Sequence, residues 1–147
     1  MSLIENRKVR MTYEIVDTYE AGIELLGYEV KAIRKGMGSL EGARVVVRGS
    51  EAFLTGATIA PYQPGNTPKS YVPERTRRLL LSKKELAELA GFEHQKGLTI
   101  VPISLYNKKR KLKVEIGVVR HKKKHDKRET LKKRDAKRDI DRTLKGA

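Results

Sequence analysis

The first 119 residues alternate apolar and polar side chains over short stretches, the pattern of β-strands with one buried face. In residues 11–25 the apolar side chains stand mostly two apart, so we predict one long, bent strand with a bulge at Ala21 and Gly22. A hairpin is predicted across Gly49 and Ser50. Three further strands are predicted in "RTRRLLL", "LTIVPISLYN" and "KLKVEIGVV".

Two segments depart from this alternation and predict helices. Two apolar residues three apart between glycines favour a short helix in "GYEVKAIRKG". Ser82 and Glu85 have the spacing of a capping box and predict a helix over "KKELAELAGF" that stops at Gly91. Residues 60–74 are rich in Pro and Gly and predict a loop.

The fold class that fits these elements is mainly β. Several short, closely spaced strands with two or three short helices predict a small closed antiparallel barrel rather than a parallel α/β sheet. A barrel of the oligonucleotide-binding type is the usual small example. We expect one domain in residues 1–119, followed by a separate segment in residues 120–147.

Residues 120–147 have a different composition from the rest of the chain. They hold 13 Lys or Arg against five Asp or Glu, and their sizeable apolar side chains are Leu131, Ile140 and Leu144. Burying so few side chains does not offset the ordering of the segment, at roughly 1–2 kcal/mol of backbone entropy per residue. We therefore predict a basic tail that is disordered when free and becomes ordered on a partner.

The charge of the chain indicates the kind of partner. The chain carries +15, of which the tail holds +8, so both parts are basic and favour a polyanion. Nucleic acid is the leading candidate, because no apolar run is long enough to span a bilayer and no hydrophobic signal segment opens the chain. An anionic membrane surface is the alternative, although the tail has no broad apolar face to bury in it.

Catalysis finds little support in the residue types. Cysteine is absent, which excludes disulfides and thiolate metal sites and fits a reducing cytoplasm. The metal candidates are then His94, His121 and His125, and the last two stand among lysines that repel a cation. His125 beside Asp126 resembles the acid–base pair of a nuclease, but a segment without a core cannot hold such a pair rigidly. We expect no enzyme activity, no cofactor and no metal.

Two carboxylates and two tyrosines are candidate binding residues. Glu20 and Glu29 lie among basic residues, where a carboxylate adds no affinity for a polyanion but can accept hydrogen bonds from base amino groups. The alternative for each is an ion pair within the protein. Tyr13 and Tyr106 have basic neighbours and can stack on bases, or they can fill the core instead.

Six stretches of the chain together resemble one family. "NRKVR", "YEAGIELLGYEVKAIRKG", "AFLTGATIAPY", "RTRRLLLSKKEL", "KGLTIVPISLY" and "HDKRETLKKRD" have the order and spacing of the small protein B (SmpB) family of SsrA-binding proteins. The resemblance implies a monomeric, cytoplasmic adaptor that binds the tRNA-like end of transfer-messenger RNA (tmRNA). Such an adaptor helps the RNA enter stalled ribosomes, where an RNA-encoded tag is added to the nascent chain. A ribosome-assembly factor with a similar barrel and basic tail is the rival interpretation.

The resemblance also implies which residues contact the RNA. Carried over position by position, the family's tmRNA-binding face falls on Asn6, Arg10, Tyr13, Glu20, Gly22, Lys31, Leu80 and Lys113. On pattern alone, the sequence favours a core position in its strand for Leu80 over contact with RNA.

The resemblance gives the tail a role in the ribosome. It implies that the tail becomes helical in the empty messenger channel, where 20 residues of helix span roughly 30 Å. His125 stands where the family has a stacking aromatic or His residue. The residues expected to contact the decoding centre and channel are Lys122, Lys123, Lys124, His125, Asp126, Lys127, Arg128, Lys132, Lys133 and Arg134.

Several positions depart from the family pattern. The family usually has His just before the position of Tyr13, and this chain has Met11 two residues before it. The serine that usually follows "EVK" is replaced by Ala32, and a Ser-Tyr pair by "AR" at 43–44. His121 replaces the glycine that commonly opens the tail, a change that bears on how freely the tail can hinge.

Overall fold

The computed structural model describes residues 2–122, which contain nine strands, three α-helices and one 3₁₀ turn. In chain order the elements are β1 (Ser2–Glu5), α1 (Arg7–Thr12), β2 (Tyr13–Ile23), α2 (Gly27–Arg34), β3 (Gly38–Ser39), β4 (Arg44–Arg48), β5 (Glu51–Thr55), β6 (Thr58–Ile59), the 3₁₀ turn (Pro64–Asn66), β7 (Arg77–Leu80), α3 (Lys83–Glu93), β8 (Thr99–Lys108) and β9 (Lys111–His121). The prediction of a mainly β fold is confirmed.

Seven of these strands form one antiparallel sheet, in the order β1-β8-β9-β2-β7-β5-β4. The strands β3 and β6 form a separate two-stranded sheet. The strands β1 and β4 end the large ladder, and no hydrogen-bonded pairing joins these two within residues 2–122. The edge strand β4 packs against β8, so the sheet is strongly curled.

Two apolar clusters lie on opposite faces of this sheet. The main core contains Val118 and the buried residues of β4, β5 and α2, whereas the adjacent Val119 belongs to a smaller cluster with Val9 of α1. Successive residues of a strand point to opposite faces. We call the face of the main core the inner face and the other the outer face. The helix α1 thus covers one end of the outer face and leaves the other end open.

Several local predictions are confirmed. The segment "GYEVKAIRKG" contains α2, and the β4–β5 hairpin pairs Arg48 with Glu51 across the predicted turn. The Oγ of Ser82 accepts a hydrogen bond from the backbone N–H of Glu85 at 3.2 Å, and the Glu85 carboxylate accepts one from the backbone N–H of Ser82 at 3.1 Å. This is the predicted capping box, and it fixes the first turn of α3.

Two predictions about the strands and helices are wrong. The bulge in β2 lies at Val16, because the register shifts between Ile15 and Asp17 and is regular through Ala21 and Gly22. The helix α3 also does not stop at Gly91. It continues to Glu93, because the side chain of Phe92 packs against the main core and holds the last turn in place.

The start and the end of the large sheet also differ from the sequence prediction. Residues 7–12 form α1, so the predicted long strand begins only at Tyr13. At the other end β9 runs to His121, two residues beyond the expected boundary at Val119.

Within residues 2–122, no helix has the length and apolar character needed to cross a membrane.

Candidate nucleic-acid interface

Three of the residues predicted to bind RNA lie in one row across the open end of the outer face. Gly22 pairs with Leu80 of β7 on one side and with Lys113 of β9 on the other, and Lys113 pairs with Tyr106 of β8. Directly opposed residues of neighbouring strands share a face. We call these four residues the tyrosine row. Their sequence neighbours on the inner side, Ala21, Leu79, Leu105 and Val114, are buried in the main core.

The adjacent row on the same face is acidic. Glu20 pairs with Glu115, Glu115 with Ser104, and Ser104 with Glu5, so four strands contribute one residue each. We call these four residues the acidic row. On the three strands that both rows share, β2, β9 and β8, it lies two residues from the tyrosine row. The outer face therefore presents carboxylates beside cations, rather than a uniformly positive surface.

Glu20 is held in place by two side chains of β8. The hydroxyl of Tyr106 donates a hydrogen bond to Glu20 at 2.5 Å, and the Nζ of Lys108 lies 3.1 Å from the other carboxylate oxygen. The hydrogen bonds from Tyr106 and Lys108 lower the pKa of Glu20. Burial and the same hydrogen bond raise the pKa of Tyr106. The predicted interface residue Glu20 is thus an ionised, oriented and partly exposed acceptor.

A groove of about 370 Å³ lies beside the tyrosine row. Its lining includes Gly22, Leu80 and Lys113, together with Arg34 of α2 and Arg110 of the β8–β9 turn. Leu80 is 47% exposed although its neighbour in β7 is buried, so the interpretation of Leu80 as a core residue is wrong. An exposed leucine among cations offers apolar contact for a base and charge for a phosphate.

Two contacts shape the groove: the close approach of β2 and β7 at Gly22, and a hydrogen bond between α2 and the β8–β9 turn. A Cβ placed on Gly22 would lie 3.2 Å from the Cβ of Leu80, so the glycine lets β2 and β7 come together at this point. Arg34 donates a hydrogen bond to the backbone carbonyl of Arg110 at 3.2 Å and ties α2 to the β8–β9 turn. Lys31 is exposed three residues before Arg34, on a neighbouring part of the same helix surface.

Asn6 and Arg10 lie at the other end of the outer face, where a cavity opens beside α1. Asn6 is 6% exposed, and its side-chain amide donates to the backbone carbonyls of Leu40 and Pro102 at 3.2 and 3.0 Å. Asn6 therefore fixes the chain before α1. Arg10 is exposed at the mouth of the cavity, and Met11 forms part of its wall.

Tyr13 lies apart from the two rows. Its ring packs against the cluster under α1, and the ring centroid is 4.6 Å from that of His121. Glu14 and Arg120 form an ion pair through two hydrogen bonds of 2.9 and 3.1 Å. The backbone N–H of Lys122 also donates to the carbonyl of Thr12. The residues at the start of the predicted tail, including the family departure His121, are thus attached to β2.

Glu29 is a structural residue: of the two roles left open by the sequence, it takes the ion pair within the protein and not the contact with RNA. Its side chain is fully buried and forms ion pairs with Arg75 and with the fully buried Arg77. Burial opposes ionisation of Glu29, but hydrogen bonds from Arg75, the Leu26 backbone N–H and Arg77 lower its pKa overall. Tyr71 donates to the same carboxylate at 3.0 Å, so this network anchors the loop of residues 60–74 to α2.

Other sequence predictions have no counterpart in the two rows. Ala32 and the alanine at 43 are buried in the main core, and Arg44 is exposed at the start of β4.

Of the tail residues predicted to enter the ribosome, Lys122 ends the described part, and residues 123–134, including the His125–Asp126 pair, lie outside it. Within residues 2–122, His, Cys, Asp and Glu side chains form no group of three that could hold a metal ion.

Sequence reasoning missed several residues that share this face. Lys108 holds Glu20, Arg34 and Arg110 line the groove, and Glu115 stands in the acidic row. Tyr106 was a candidate for stacking on bases, but the role of its hydroxyl as a donor to Glu20 was not predicted. The turn between β8 and β9 could have predicted part of this face, because it sets the register of the two strands. A turn at Lys109 and Arg110, both with positive φ, pairs Lys108 with Lys111 and therefore brings Tyr106 opposite Lys113.

Comparison with known proteins gives consistent matches over nearly the whole chain. Residues 3–146 match the family model described as SmpB protein. An SsrA-binding protein of Gloeothece citriformis is 48% identical over 143 residues, 97% of this chain and 92% of that protein. An SsrA-binding protein of Clostridium acetobutylicum is 46% identical over 144 residues, 98% of this chain and 92% of that protein.

A solved structure also resembles the chain. It is described as "tmRNA-SmpB: a journey to the center of the bacterial ribosome", and one of its chains superposes with a TM-score of 0.68 at 41% identity. The superposition covers 86% of this chain and 92% of that chain.

Proposed function

We propose, because this chain belongs to the SmpB protein family, that it is the tmRNA-binding adaptor of trans-translation. It delivers tmRNA to stalled ribosomes, so that the nascent chain is tagged and the ribosome is released. The observation that carries this proposal is the family match from residue 3 to residue 146. Its partners are tmRNA and the ribosome, which places it in the cytoplasm.

The RNA-binding surface in this proposal is the open end of the outer face. Leu80, Gly22 and Lys113 supply an apolar patch, a close approach for the RNA and a cation, in one row. Glu20 accepts hydrogen bonds from base amino groups, since its carboxylate is ionised and oriented by Tyr106. Lys31 and Arg10 contact phosphates from the two ends of the face.

Asn6 and Tyr13 lie at the edge of this interface. Asn6 holds the start of α1 through its two backbone contacts and so positions Arg10. Tyr13 lies between the α1 cluster and His121, where an RNA strand bound along the outer face would approach the start of the tail.

We also propose that the curled sheet is a barrel of the oligonucleotide-binding type. Its support is the packing of the edge strand β4 against β8, which brings the two ends of the ladder round towards each other. In that fold a strand face with adjoining loops binds oligonucleotides, as the outer face does here.

The two parts of the chain divide the work in this proposal. Residues 1–119 hold the tRNA-like domain as a monomer, and residues 120–147 occupy the decoding centre and the empty messenger channel. Lys122, His125 and the basic residues that follow contact ribosomal RNA, in keeping with a tail charge of +8. The protein acts by binding and catalyses no reaction.

A truncation tests this division. The shortened chain should end at Lys122, because Arg120 and His121 pair with β2 and Lys122 donates to Thr12. We expect this chain to bind the tRNA-like domain with nearly the affinity of the whole protein and to support no tagging on stalled ribosomes. Loss of RNA binding on truncation would contradict the proposed division.

A further inference from the structure

A cavity of about 810 Å³ lies beside α1 on the outer face of β8 and β9. Its wall includes Arg7 and Arg10 on the side of α1, Ile103 at the base, and three members of the acidic row, Glu5, Ser104 and Glu115. The cavity therefore combines two cations, two carboxylates, a hydroxyl and an apolar surface. Because the acidic row continues from Glu115 to Glu20, this cavity opens onto the proposed RNA-binding surface.

Several polar groups of the cavity lack a partner. The side chain of Ser104, only 8% exposed, forms no hydrogen bond within residues 2–122, although it lines the cavity. The Oδ1 of Asn6 likewise accepts no hydrogen bond from the described residues, because the side-chain hydrogen bonds of Asn6 all come from Nδ2. Within residues 2–122 no fully buried side-chain nitrogen or oxygen lacks a partner, so both oxygens remain accessible from the cavity, where water or a ligand can bind them.

The charged residues of the cavity are also unpaired within the described part of the chain. Neither Glu5 nor Glu115 forms an ion pair there, and neither do Arg7 and Arg10. Among the exposed carboxylates of the described part, Glu14, Glu20, Glu24, Glu41 and Glu51 form ion pairs, whereas Asp17, Glu74 and Glu88 form none. In a chain of net charge +15, carboxylates left unpaired beside two arginines are unexpected.

The position of Glu115 also lowers the stability of the sheet in the absence of RNA. It stands directly opposite Glu20 in the β2–β9 pair, and like charges in that position destabilise a sheet. Glu20 is compensated by Lys108, whereas Glu115 has no such compensation within residues 2–122. A local conflict of this kind is expected where a residue serves binding rather than folding.

We propose that the cavity binds one unstacked guanine nucleotide of the RNA. Glu115 accepts the two adjacent N–H groups of the guanine Watson–Crick edge, at N1 and N2, and the hydroxyl of Ser104 donates to O6. The base rests on Ile103, and Arg7 and Arg10 bind its phosphates. This site deepens the proposed function, because it rests on RNA as the partner, and it adds base specificity at residues outside the set implied by the family resemblance.

The choice of guanine follows from donor geometry. An ionised carboxylate is an acceptor with two oxygens, so it suits a base edge that presents two neighbouring donors. Guanine has such an edge. The amino groups of adenine and cytosine each lie beside a ring acceptor, and uracil presents a single N–H between two carbonyls.

Mononucleotide binding to the whole protein tests the site directly. The methyl NMR signals of Met11 and Ile103 report on the cavity while GMP, AMP, CMP, UMP or IMP is added. We expect GMP to shift both signals at the lowest concentration, and IMP, which lacks the N2 amino group, to require more. Equal effects of all five nucleotides, or none, would overturn the guanine site while leaving tmRNA binding untouched.

Two charge-removing variants separate base contact from general electrostatics. Glu115→Gln removes the acceptor pair, and Glu74→Gln removes an exposed charge that forms no ion pair within residues 2–122. Loss of a negative charge by itself strengthens RNA binding, so both variants should bind an unrelated hairpin at least as well as the unaltered protein does. We expect Glu115→Gln alone to bind the tRNA-like domain more weakly, by roughly tenfold to a hundredfold, as for loss of one bidentate base contact.

The opposite result would overturn the guanine site. If Glu115→Gln bound the tRNA-like domain as tightly as Glu74→Gln does, Glu115 would have no part in base contact. Failure of the unaltered protein to prefer the tRNA-like domain over the hairpin is a separate outcome, and it would count against the proposed function itself.

Discussion

The carboxylate of Glu29 and the guanidinium of Arg77 form an ion pair in which both side chains are fully buried, with 2.6 Å between Nη2 and the nearer oxygen. Arg77 also donates to the carbonyls of Ala57 and Pro73. This pair therefore connects α2 and β7 with the turn at Ala57 and the loop at Pro73. Lys31 and Leu80 extend from two of these elements, so the buried pair determines how two proposed RNA contacts are placed.

Removing one partner of this pair should be costly. Glu29→Gln leaves the charge of Arg77 buried without its counterion, which costs about 3–5 kcal/mol in the free energy of unfolding. Glu41→Gln breaks an exposed ion pair with Lys8 and should cost about 0–1 kcal/mol. Urea unfolding of both variants measures the difference, and equal losses would contradict the structural role of Glu29.

The same carboxyl predicts a pH dependence of stability. The pKa of Glu29 is lowered from its ordinary value of 4.5 in the folded chain, so the unfolded chain binds its proton more readily. Its contribution is fully present above that ordinary value and is lost as pH falls through the lowered folded pKa. Unfolding free energies over a descending pH series should therefore fall less steeply for Glu29→Gln than for the unaltered chain, and parallel curves would contradict this.

Leu79 and Leu80 are neighbours in β7 with opposite expected effects. Leu79 is 2% exposed, so Leu79→Ala should lower the free energy of unfolding by about 2–5 kcal/mol. Leu80→Ala should leave stability nearly unchanged, because the side chain is 47% exposed, and should weaken binding of the tRNA-like domain. Urea unfolding and filter binding on both variants check this. A large loss of stability in Leu80→Ala would show that Leu80 acts as a core residue.

Gly22→Ala should impair RNA binding more than folding. The new methyl group meets the Cβ of Leu80 at 3.2 Å and has to displace it, whereas the backbone of Gly22 is not in the left-handed region. Gly27→Ala is the matched control, since a methyl group there meets no atom within 4 Å. Equal affinities of the two variants for the tRNA-like domain would show that the β2–β7 approach does not matter.

The hydroxyl of Tyr106 should act through Glu20. Tyr106→Phe removes the hydrogen bond that orients the carboxylate, so we expect weaker binding of the tRNA-like domain. In a double-mutant cycle with Glu20→Gln, the two effects should be coupled by about 0.5–3 kcal/mol. Additive effects would mean that Tyr106 and Glu20 contribute independently.

The sequence predicted most elements because their signals were local. The capping box at Ser82 and the alternation in β8 and β9 do not depend on distant residues. The helix α1 was missed because it has only six residues, too few to show a helical pattern in the sequence. It is stabilised by the packing of Val9 on Val101 and Val119. Those two partners lie about a hundred residues away in sequence, and a local pattern does not show such contacts.

The candidate site was harder to predict because burial decides the role of a charge. Glu20 and Glu29 look alike in the sequence, yet one is an exposed acceptor and the other a buried counterion. Leu80 and Leu79 differ in the same way through strand alternation. The family resemblance proposed Glu20 and Leu80 as interface residues, but the register of β8 and β9 was needed to place Tyr106 and Glu115 beside them.

The measurement that tests the central claim most directly is RNA binding by the chain that ends at Lys122, across a salt series. The tRNA-like domain of tmRNA is compared with an unrelated hairpin of equal length. If the outer face recognises its RNA, the preference for the tRNA-like domain persists as salt rises, while hairpin binding is lost. Charge alone would bind both RNAs alike and release them together, and that result would contradict the account.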